Sequence, residues 1–247
     1  MFQRRFLAFA TFATCVAVST AATAAKPTDA EVGDADSFGK KVVWIGLVQT
    51  GQVILADDCT PANVGTLGPD DRCLTLPANT GVTNFEFPDL GRITLPGNST
   101  GTLICHWATP LVTYGFHNAS AASAQAQFRL WATFRVESSV LANPALINPV
   151  TGLPFGGGID IVGLPSVRDV QTLAAGATHV HSTQATRTCI EGMISKSTLI
   201  ATYGLTEAQA KSFFGSPITI RAGVRGSTAL VSGASIIVGT RFTGDDR

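Results

Sequence analysis

Apolar and polar residues alternate along three segments of the chain, residues 128–136, 218–224 and 234–242. In the first segment every second residue from Phe128 to Val136 is apolar, and most of the residues between them are polar or charged. A period of two residues places one side of a strand in a core and the other side in water. This pattern is typical of antiparallel sheets that bury a single face.

Shorter apolar runs occupy residues 85–87, 92–95, 103–107 and 112–116, and glycine, proline and asparagine lie between them. Short strands separated by such turn-forming residues are typical of β-sandwiches and barrels. The sequence therefore predicts an all-β protein, an antiparallel β-sandwich of Ig-like or jelly-roll-like type. The length suits one domain, which we expect over residues 41–247.

Three further features complete the expected architecture. The apolar runs 42–48 and 51–55 predict either a hairpin or one long, kinked strand. A long segment rich in glycine and proline, residues 143–158, predicts an irregular surface loop. One short helix is expected over residues 205–215, because Thr206 is a suitable N-cap and a glycine stands at the end.

The amino-terminal segment has the composition of a secretory signal peptide. A positively charged start precedes an apolar stretch over residues 6–18, and the small residues Ala-Thr-Ala at 22–24 fit a signal-peptidase site. We therefore expect a signal peptide over residues 1–24 and a flexible leader over residues 25–40. The apolar stretch is too short for a membrane-spanning helix, which needs about 20 residues.

The signal peptide predicts a bacterial type of export through the inner membrane, with no transmembrane span in the mature chain. Periplasmic, cell-surface and extracellular locations all remain open.

Five cysteines are present, and Cys15 would leave with the signal peptide. The mature chain keeps Cys59, Cys73, Cys105 and Cys189, an even number in an oxidising compartment. We expect two disulfides and favour Cys59–Cys73 with Cys105–Cys189, because turn-forming residues fill the first interval. A zinc site built from these four cysteines is disfavoured, since no C-x-x-C pair exists.

The formal net charge is zero, and the lysines and arginines are scattered along the sequence. A nucleic-acid-binding protein would show clustered basic residues and a high pI, so nucleic acid is excluded as an expected partner. No residue pattern indicates a cofactor.

His179 and His181 form the best candidate metal site. Side chains at positions i and i+2 of a strand share a face, so the two imidazoles would lie on one side. His106 and His117 are the other histidines. The pair lacks an identified third ligand, and solvated histidines are the simpler interpretation.

Trp131 falls on the polar side of its strand, with Arg129 and Arg135 nearby on the same side. An outward tryptophan flanked by arginines is a candidate stacking platform for a sugar. Coverage of Trp131 by another part of the chain is the alternative.

Residues 97–101 match the G-x-S-x-G pattern of a serine nucleophile, and Asp160 followed by His179 or His181 would complete the chain order of a triad. That motif requires a turn from a strand into a helix, whereas an apolar β-type run follows here. We therefore predict no catalytic residue, and expect an ordinary turn around Ser99.

Three classes of function remain. We expect foremost a non-enzymatic structural or assembly subunit of the cell envelope or surface, whose partner is a second copy or another envelope protein. A carbohydrate- or metal-binding module, with a glycan or metal as ligand, is the first alternative. A serine hydrolase is the second alternative.

Overall fold

The computed structural model describes residues 42–77, 81–184 and 193–245. The expected signal peptide (1–24), the expected leader (25–40) and Cys189 lie outside the described residues. The strands are β1 (Val42–Gln49), β2 (Val53–Ala56), β3 (Arg72–Thr75), β4 (Thr83–Leu95), β5 (Leu103–His117), β6 (Ala124–Ser138), β7 (Ile147–Asn148), β8 (Leu153–Pro154), β9 (Gly158–Leu173), β10 (Thr178–Gln184), β11 (Ile194–Ser195), β12 (Ile218–Ala229) and β13 (Val231–Asp245). The α-helices are α1 (Pro61–Val64), α2 (Lys196–Ala201) and α3 (Glu207–Gly215), and a 3₁₀ turn spans Ser139–Ala142.

Two large sheets dominate the fold. The seven-stranded sheet has the order β10-β5-β13-β2-β3, with β1 also paired to β13 and β11 also paired to β5. The four-stranded sheet has the order β4-β12-β6-β9. All pairs are antiparallel apart from β2 with β3, which are parallel. The prediction of a mostly β protein with antiparallel sheets is confirmed.

The core is built from the apolar faces of both sheets. On β6, Phe128, Leu130 and Phe134 are buried, as the alternating pattern predicts. The Phe128 ring stacks on Tyr114 of β5, with ring centroids 4.3 Å apart. Each buried phenylalanine contributes roughly 1.5–3 kcal/mol through the apolar surface it removes from water. The Ig-like or jelly-roll-like type of the expected sandwich stays a prediction.

The first two strands form one interrupted strand. Both pair with β13 in the same direction, β1 with its end and β2 with its beginning. Between them the Thr50 hydroxyl donates to the Val238 carbonyl (3.0 Å) and accepts from the Val238 amide (3.0 Å). The kinked-strand alternative is therefore confirmed, and the hairpin alternative is wrong.

A disulfide joins Cys59 to Cys73, with their Cα atoms 5.9 Å apart, as predicted. It closes the segment between the parallel strands β2 and β3. The pairing Cys105–Cys189 stays a prediction, because Cys189 lies outside the described residues.

The expectation of one short helix is wrong in number, since the described residues contain three. The predicted helix is α3, where Thr206 and Gln209 form a reciprocal capping box and Phe213 and Phe214 are buried. Helix α2 begins where the Ser195 hydroxyl accepts from an amide of its first turn, and α1 has proline at its first position. Helices of four to six residues are too short to show a helical period in the sequence. None of the described helices is long and apolar enough to cross a membrane.

The Gly- and Pro-rich segment 143–158 is folded around a small hairpin of β7 and β8. Its Phe155 is buried and packs edge-on against Tyr203, with ring centroids 6.2 Å apart. The predicted surface loop is thus present, and one aromatic residue anchors it to the core.

Candidate ligand-binding face

Strand β6 lies between β12 and β9 in the four-stranded sheet and positions the predicted stacking residues. Because Phe128, Leu130 and Phe134 point into the core, the alternate residues Arg129 and Trp131 point outward. We call this outward side, away from the core, the outer face of the four-stranded sheet. Trp131 is partly buried there by its neighbours.

A shallow groove of about 440 Å³ runs beside Trp131 on this face. The groove is lined by Asn84, Phe85, Glu86, Trp131, Arg225, Gly226 and Ser227. We refer to it as the Trp131 groove. The Arg225 guanidinium carbon lies 5.9 Å from the Trp131 ring centroid, within the range of a cation–π contact. The groove therefore combines an aromatic wall with charged and polar side chains.

Gly226 is required by the packing next to the groove. A Cβ atom on Gly226 would lie 2.3 Å from the Phe85 ring and 2.5 Å from the Arg129 carbonyl oxygen. Only glycine lets strand β12 lie this close to Phe85, so position 226 accepts no larger residue without a shift of its neighbours.

The sheet register gathers arginines on the outer face that are far apart in the sequence. Arg221 lies opposite Arg135 on one side and Arg92 on the other, and Arg129 lies opposite Arg168. With Arg225, opposite Trp131, these six residues form what we call the arginine row: Arg92, Arg129, Arg135, Arg168, Arg221 and Arg225. The arginines are therefore scattered along the sequence, as noted above, but the fold brings six of them together on this surface.

One part of the arginine row is neutralised by carboxylates. Arg135 donates to both oxygens of Asp160 (2.9 and 2.8 Å) and lies 3.4 Å from Glu137. Arg221 donates to Glu137 (3.1 Å) and Asp89 (2.8 Å), and the hydrogen bond and charge of Glu137 raise the pKa of this guanidinium. Arg135, a predicted ligand residue, is therefore held in an ion pair and does not line the Trp131 groove.

The other part of the row has no such partners. Within residues 42–77, 81–184 and 193–245, Arg129, Arg168 and Arg225 form no ion pair with a carboxylate. The Nε of Arg129 is shielded from water and has no hydrogen-bond acceptor. Sequence reasoning named Arg129 as a candidate ligand residue and missed Arg225. Arg225 directly follows the alternating segment 218–224 and continues its alternation at a polar position, which could have indicated that its side chain points outward.

The predicted histidine pair lies on β10, at one edge of the seven-stranded sheet. His179 and His181 are on β10, their ring centroids are 6.3 Å apart, and both contact the Gln171 side chain, at 3.2 and 3.1 Å. His181 also stacks on Tyr114 at 5.3 Å, and its Nδ1 lies 3.7 Å from Asp169.

Tyr114 donates to Asp169 at 2.8 Å, and burial together with this bond raises the pKa of Tyr114. The part of the chain that the structure describes contains no group of three or more histidine, cysteine or acidic residues placed to hold a metal ion. The other histidines do not join the pair: His117 contacts Thr178, and His106 packs on Phe134.

The G-x-S-x-G segment forms a turn, as expected. Its Ser99 hydroxyl donates to the Pro96 carbonyl, whereas Asp160 is bound by Arg135 and His181 contacts Gln171. The three residues of the hypothetical triad therefore have separate partners. The following residues instead bind the carboxylate of Asp245, which accepts from the Gly101, Thr102 and Leu103 amides and from the Thr100 and Thr102 hydroxyls.

Comparison of the chain with protein-family models gives no match, and comparison with curated proteins gives none either.

Proposed function

We propose that this chain is an exported, non-enzymatic β-sandwich protein of Ig-like or jelly-roll-like type, located in the cell envelope or on the cell surface, that binds a carbohydrate. The observation that carries the proposal is the Trp131 groove, which places an aromatic ring beside polar side chains on an outward sheet face. The volume of about 440 Å³ lies within the range of small-ligand sites.

The groove offers the two kinds of contact that a sugar ring needs. The indole of Trp131 presents apolar, polarisable surface on which the C–H side of a sugar ring can stack. Glu86 accepts hydrogen bonds, Arg225 donates them, and Asn84 does both, so hydroxyl groups at the rim of a stacked ring find partners. The groove is shallow and open, which suits one face of a chain-like ligand better than a fully enclosed molecule.

The test is glycan-array screening of the exported protein, followed by calorimetric titration of the best glycan. We expect Trp131→Ala to weaken binding at least tenfold, because it removes the stacking surface, and Trp131→Phe to retain part of the affinity. Val162→Ala is the matched control, since Val162 is an exposed residue of the same sheet that does not line the groove. Equal binding by the parent and Trp131→Ala would overturn the proposal.

An assembly subunit is the second candidate, and the outer face of the seven-stranded sheet favours it. Its outward positions on β1, β5 and β10 include the exposed side chains of Leu47 (57% exposed), Leu111 (48%) and Val180 (73%). Among the described outward positions of β1, β5, β10 and β13, a single residue, Arg241, is charged. We call this surface the uncharged face. Exposed apolar groups on a surface with little charge are typical of protein contacts.

Sedimentation velocity over a range of concentrations tests this second candidate. We expect the parent to self-associate and the double variant Leu111→Lys, Val180→Lys to remain monomeric, because two charges would be desolvated in the contact. A parent that stays monomeric at every concentration, in the absence of other envelope proteins, would remove self-assembly as a function.

A further inference from the structure

The charges around the Trp131 groove are unequally compensated. Arg225 lines the groove, and Arg129 lies directly opposite Ser227, another lining residue. Arg168 lies directly opposite Arg129 on the next strand. Against these three positive groups, Glu86 is the single carboxylate among the lining residues. This part of the outer face is therefore positive, although the whole chain has no net charge.

We propose that the ligand of the Trp131 groove is an acidic saccharide, one whose sugar rings carry carboxylates, and that Arg129 and Arg225 bind the carboxylate. This inference rests on the proposed carbohydrate-binding function and specifies its ligand class. The ring stacks on Trp131 while the acidic group lies toward Arg129, two positions along the same side of β6.

Arg129 supplies the independent observation. Its Nε is excluded from water and has no acceptor, although a guanidinium normally satisfies its N–H groups when they are buried. Arg129 also faces the like charge of Arg168 across the strand pair, an arrangement that destabilises a sheet. The buried Nε is out of reach of an external ligand, but the Arg129 side chain as a whole is only half-buried. A carboxylate bound at its accessible nitrogens offsets the charge of the guanidinium and lowers the repulsion between the two arginines.

The same face shows that its arginines bind carboxylates well. The Nη1 of Arg135 donates to both oxygens of Asp160, at 2.9 and 2.8 Å. Charge-assisted bonds of this kind are stronger than bonds to neutral groups. The protein pairs Arg135 and Arg221 with its own acidic residues, whereas three arginines at or next to the Trp131 groove have one nearby lining carboxylate, Glu86 opposite Arg225, and form no ion pair with a described residue. We infer that a carboxylate of the bound ligand is the partner of Arg129 and Arg225.

The experiment compares two matched probes by calorimetry at 50 mM salt: trigalacturonate, which carries a carboxylate on each ring, and its methyl ester, which is neutral. We expect trigalacturonate to bind at least tenfold more tightly than the ester. Arg129→Gln and Arg225→Gln should each weaken trigalacturonate binding at least fivefold, a clearly larger loss than either variant causes for the ester. Arg92→Gln is the control, because it removes the same charge from the same face at a position opposite Arg221, whereas Arg129 lies opposite the lining residue Ser227.

The outcomes separate this inference from the function on which it rests. Equal affinity for the two probes, with binding still abolished by Trp131→Ala, would overturn the acidic ligand and keep carbohydrate binding. An equal loss in Arg92→Gln and Arg129→Gln would overturn the specific carboxylate contact in favour of general attraction. Preference for a sulfated trisaccharide over trigalacturonate would overturn the carboxylate as the acidic group. Failure of trigalacturonate, its ester and a full glycan array would overturn the proposed function itself.

Discussion

The outer faces of the two sheets differ sharply in charge, although strands with the same alternating pattern build both. On the four-stranded sheet the outward positions carry the arginine row and several acidic residues. On the seven-stranded sheet the outward positions of β5 and β10 carry residues such as Leu111, Thr113, Val180 and Ser182. The inward positions of both sheets are mostly apolar, since both sheets contribute to the same two hydrophobic clusters.

This difference separates what folding demands from what it leaves free. Burial of a sheet face favours an apolar residue at every second position, and most inward positions of both sheets comply. Folding sets no comparable demand on the outward positions, where most substitutions change stability by less than about 0.5 kcal/mol. The concentration of arginine on one face and its near absence from the other are therefore not requirements of core packing.

The largest expected effect contrasts two aspartates, one buried at the end of β13 and one exposed on the outer face of the four-stranded sheet. Asp245 is 4% exposed and accepts bonds from three amides and two hydroxyls. We expect Asp245→Ala to lower the free energy of unfolding by roughly 3 kcal/mol or more, because it leaves several buried donors unpaired. Urea denaturation measures the change.

Asp160→Ala is the control for Asp245. The Asp160 side chain is 74% exposed in its pair with Arg135, so its loss should cost less than about 1 kcal/mol. Burial alone would raise the pKa of Asp245, but the bonds from Thr100, Thr102 and Leu103 lower it to about 2. The contribution of Asp245 should therefore persist to about pH 4 and decline below it. Equal losses in the two variants would contradict the contrast.

The second effect is a dependence of stability on pH, and it contrasts a largely buried histidine of β5, His106, with an exposed one, His117. His106 packs on Phe134, with ring centroids 4.5 Å apart, and burial lowers its pKa from 6.5 to about 4. The unfolded chain thus binds a proton between pH 6.5 and 4 that the folded chain does not bind. Stability should be complete above pH 6.5 and fall by roughly 2–3 kcal/mol as the pH decreases to 4.

His106→Leu isolates this contribution, because leucine is apolar and cannot be protonated. Thermal unfolding followed by circular dichroism at pH 7 and pH 4 should show a smaller decrease in melting temperature for the variant than for the parent. His117→Leu is the matched control, since His117 is exposed on β5. The prediction is contradicted if the melting temperature of His106→Leu decreases between pH 7 and pH 4 as much as that of the parent, and if this decrease disappears in His117→Leu instead.

These contrasts also show what the sequence could and could not predict. Alternation located β6, β12 and β13 and identified Phe128 and Phe134 as core residues, since burial leaves a local signal in each strand. Strand order and register have no such signal. The pairing of Arg129 with Arg168, and of Trp131 with Arg225, depends on contacts between strands that lie far apart in the chain.

For the candidate site, the sequence identified Trp131 and Arg129 because each is visible within one strand. It could not place Glu86, Asn84 or Ser227 beside them, because these residues come from two other strands. It also could not distinguish Arg135 from Arg129, since the partner Asp160 belongs to β9. Local pattern therefore predicted the residue types of the site, and the sheet register places Trp131 in the groove and Arg129 next to it, opposite the lining residue Ser227.

A smaller effect is expected from the neutralised part of the arginine row. Arg221 bonds to Glu137 and Asp89, and its side chain is 29% exposed. We expect Arg221→Gln to lower the free energy of unfolding by about 1 kcal/mol at low salt, because a network of exposed charges stabilises modestly. At 1 M salt, where screening acts within about 3 Å, the difference should nearly vanish.

Arg92→Gln is the comparison for Arg221→Gln, because Arg92 lies directly opposite Arg221 and forms no ion pair with a described residue. Its removal should leave stability unchanged or raise it slightly, since it relieves a like-charge contact. A salt-independent loss in Arg221→Gln would instead indicate that packing of the side chain, rather than its charge, stabilises this face.

The smallest expected effect on folding comes from Val180→Lys on the uncharged face. Val180 is 73% exposed on the edge strand β10, so the substitution should change the free energy of unfolding of the isolated chain by less than about 0.5 kcal/mol. Urea denaturation at low protein concentration measures it, with Thr113→Lys as a second position on the same face. If both lysines are tolerated, folding of the isolated chain does not keep this face uncharged, and the result supports the proposed assembly contact. A loss above about 2 kcal/mol would show instead that the monomer itself requires valine at this position.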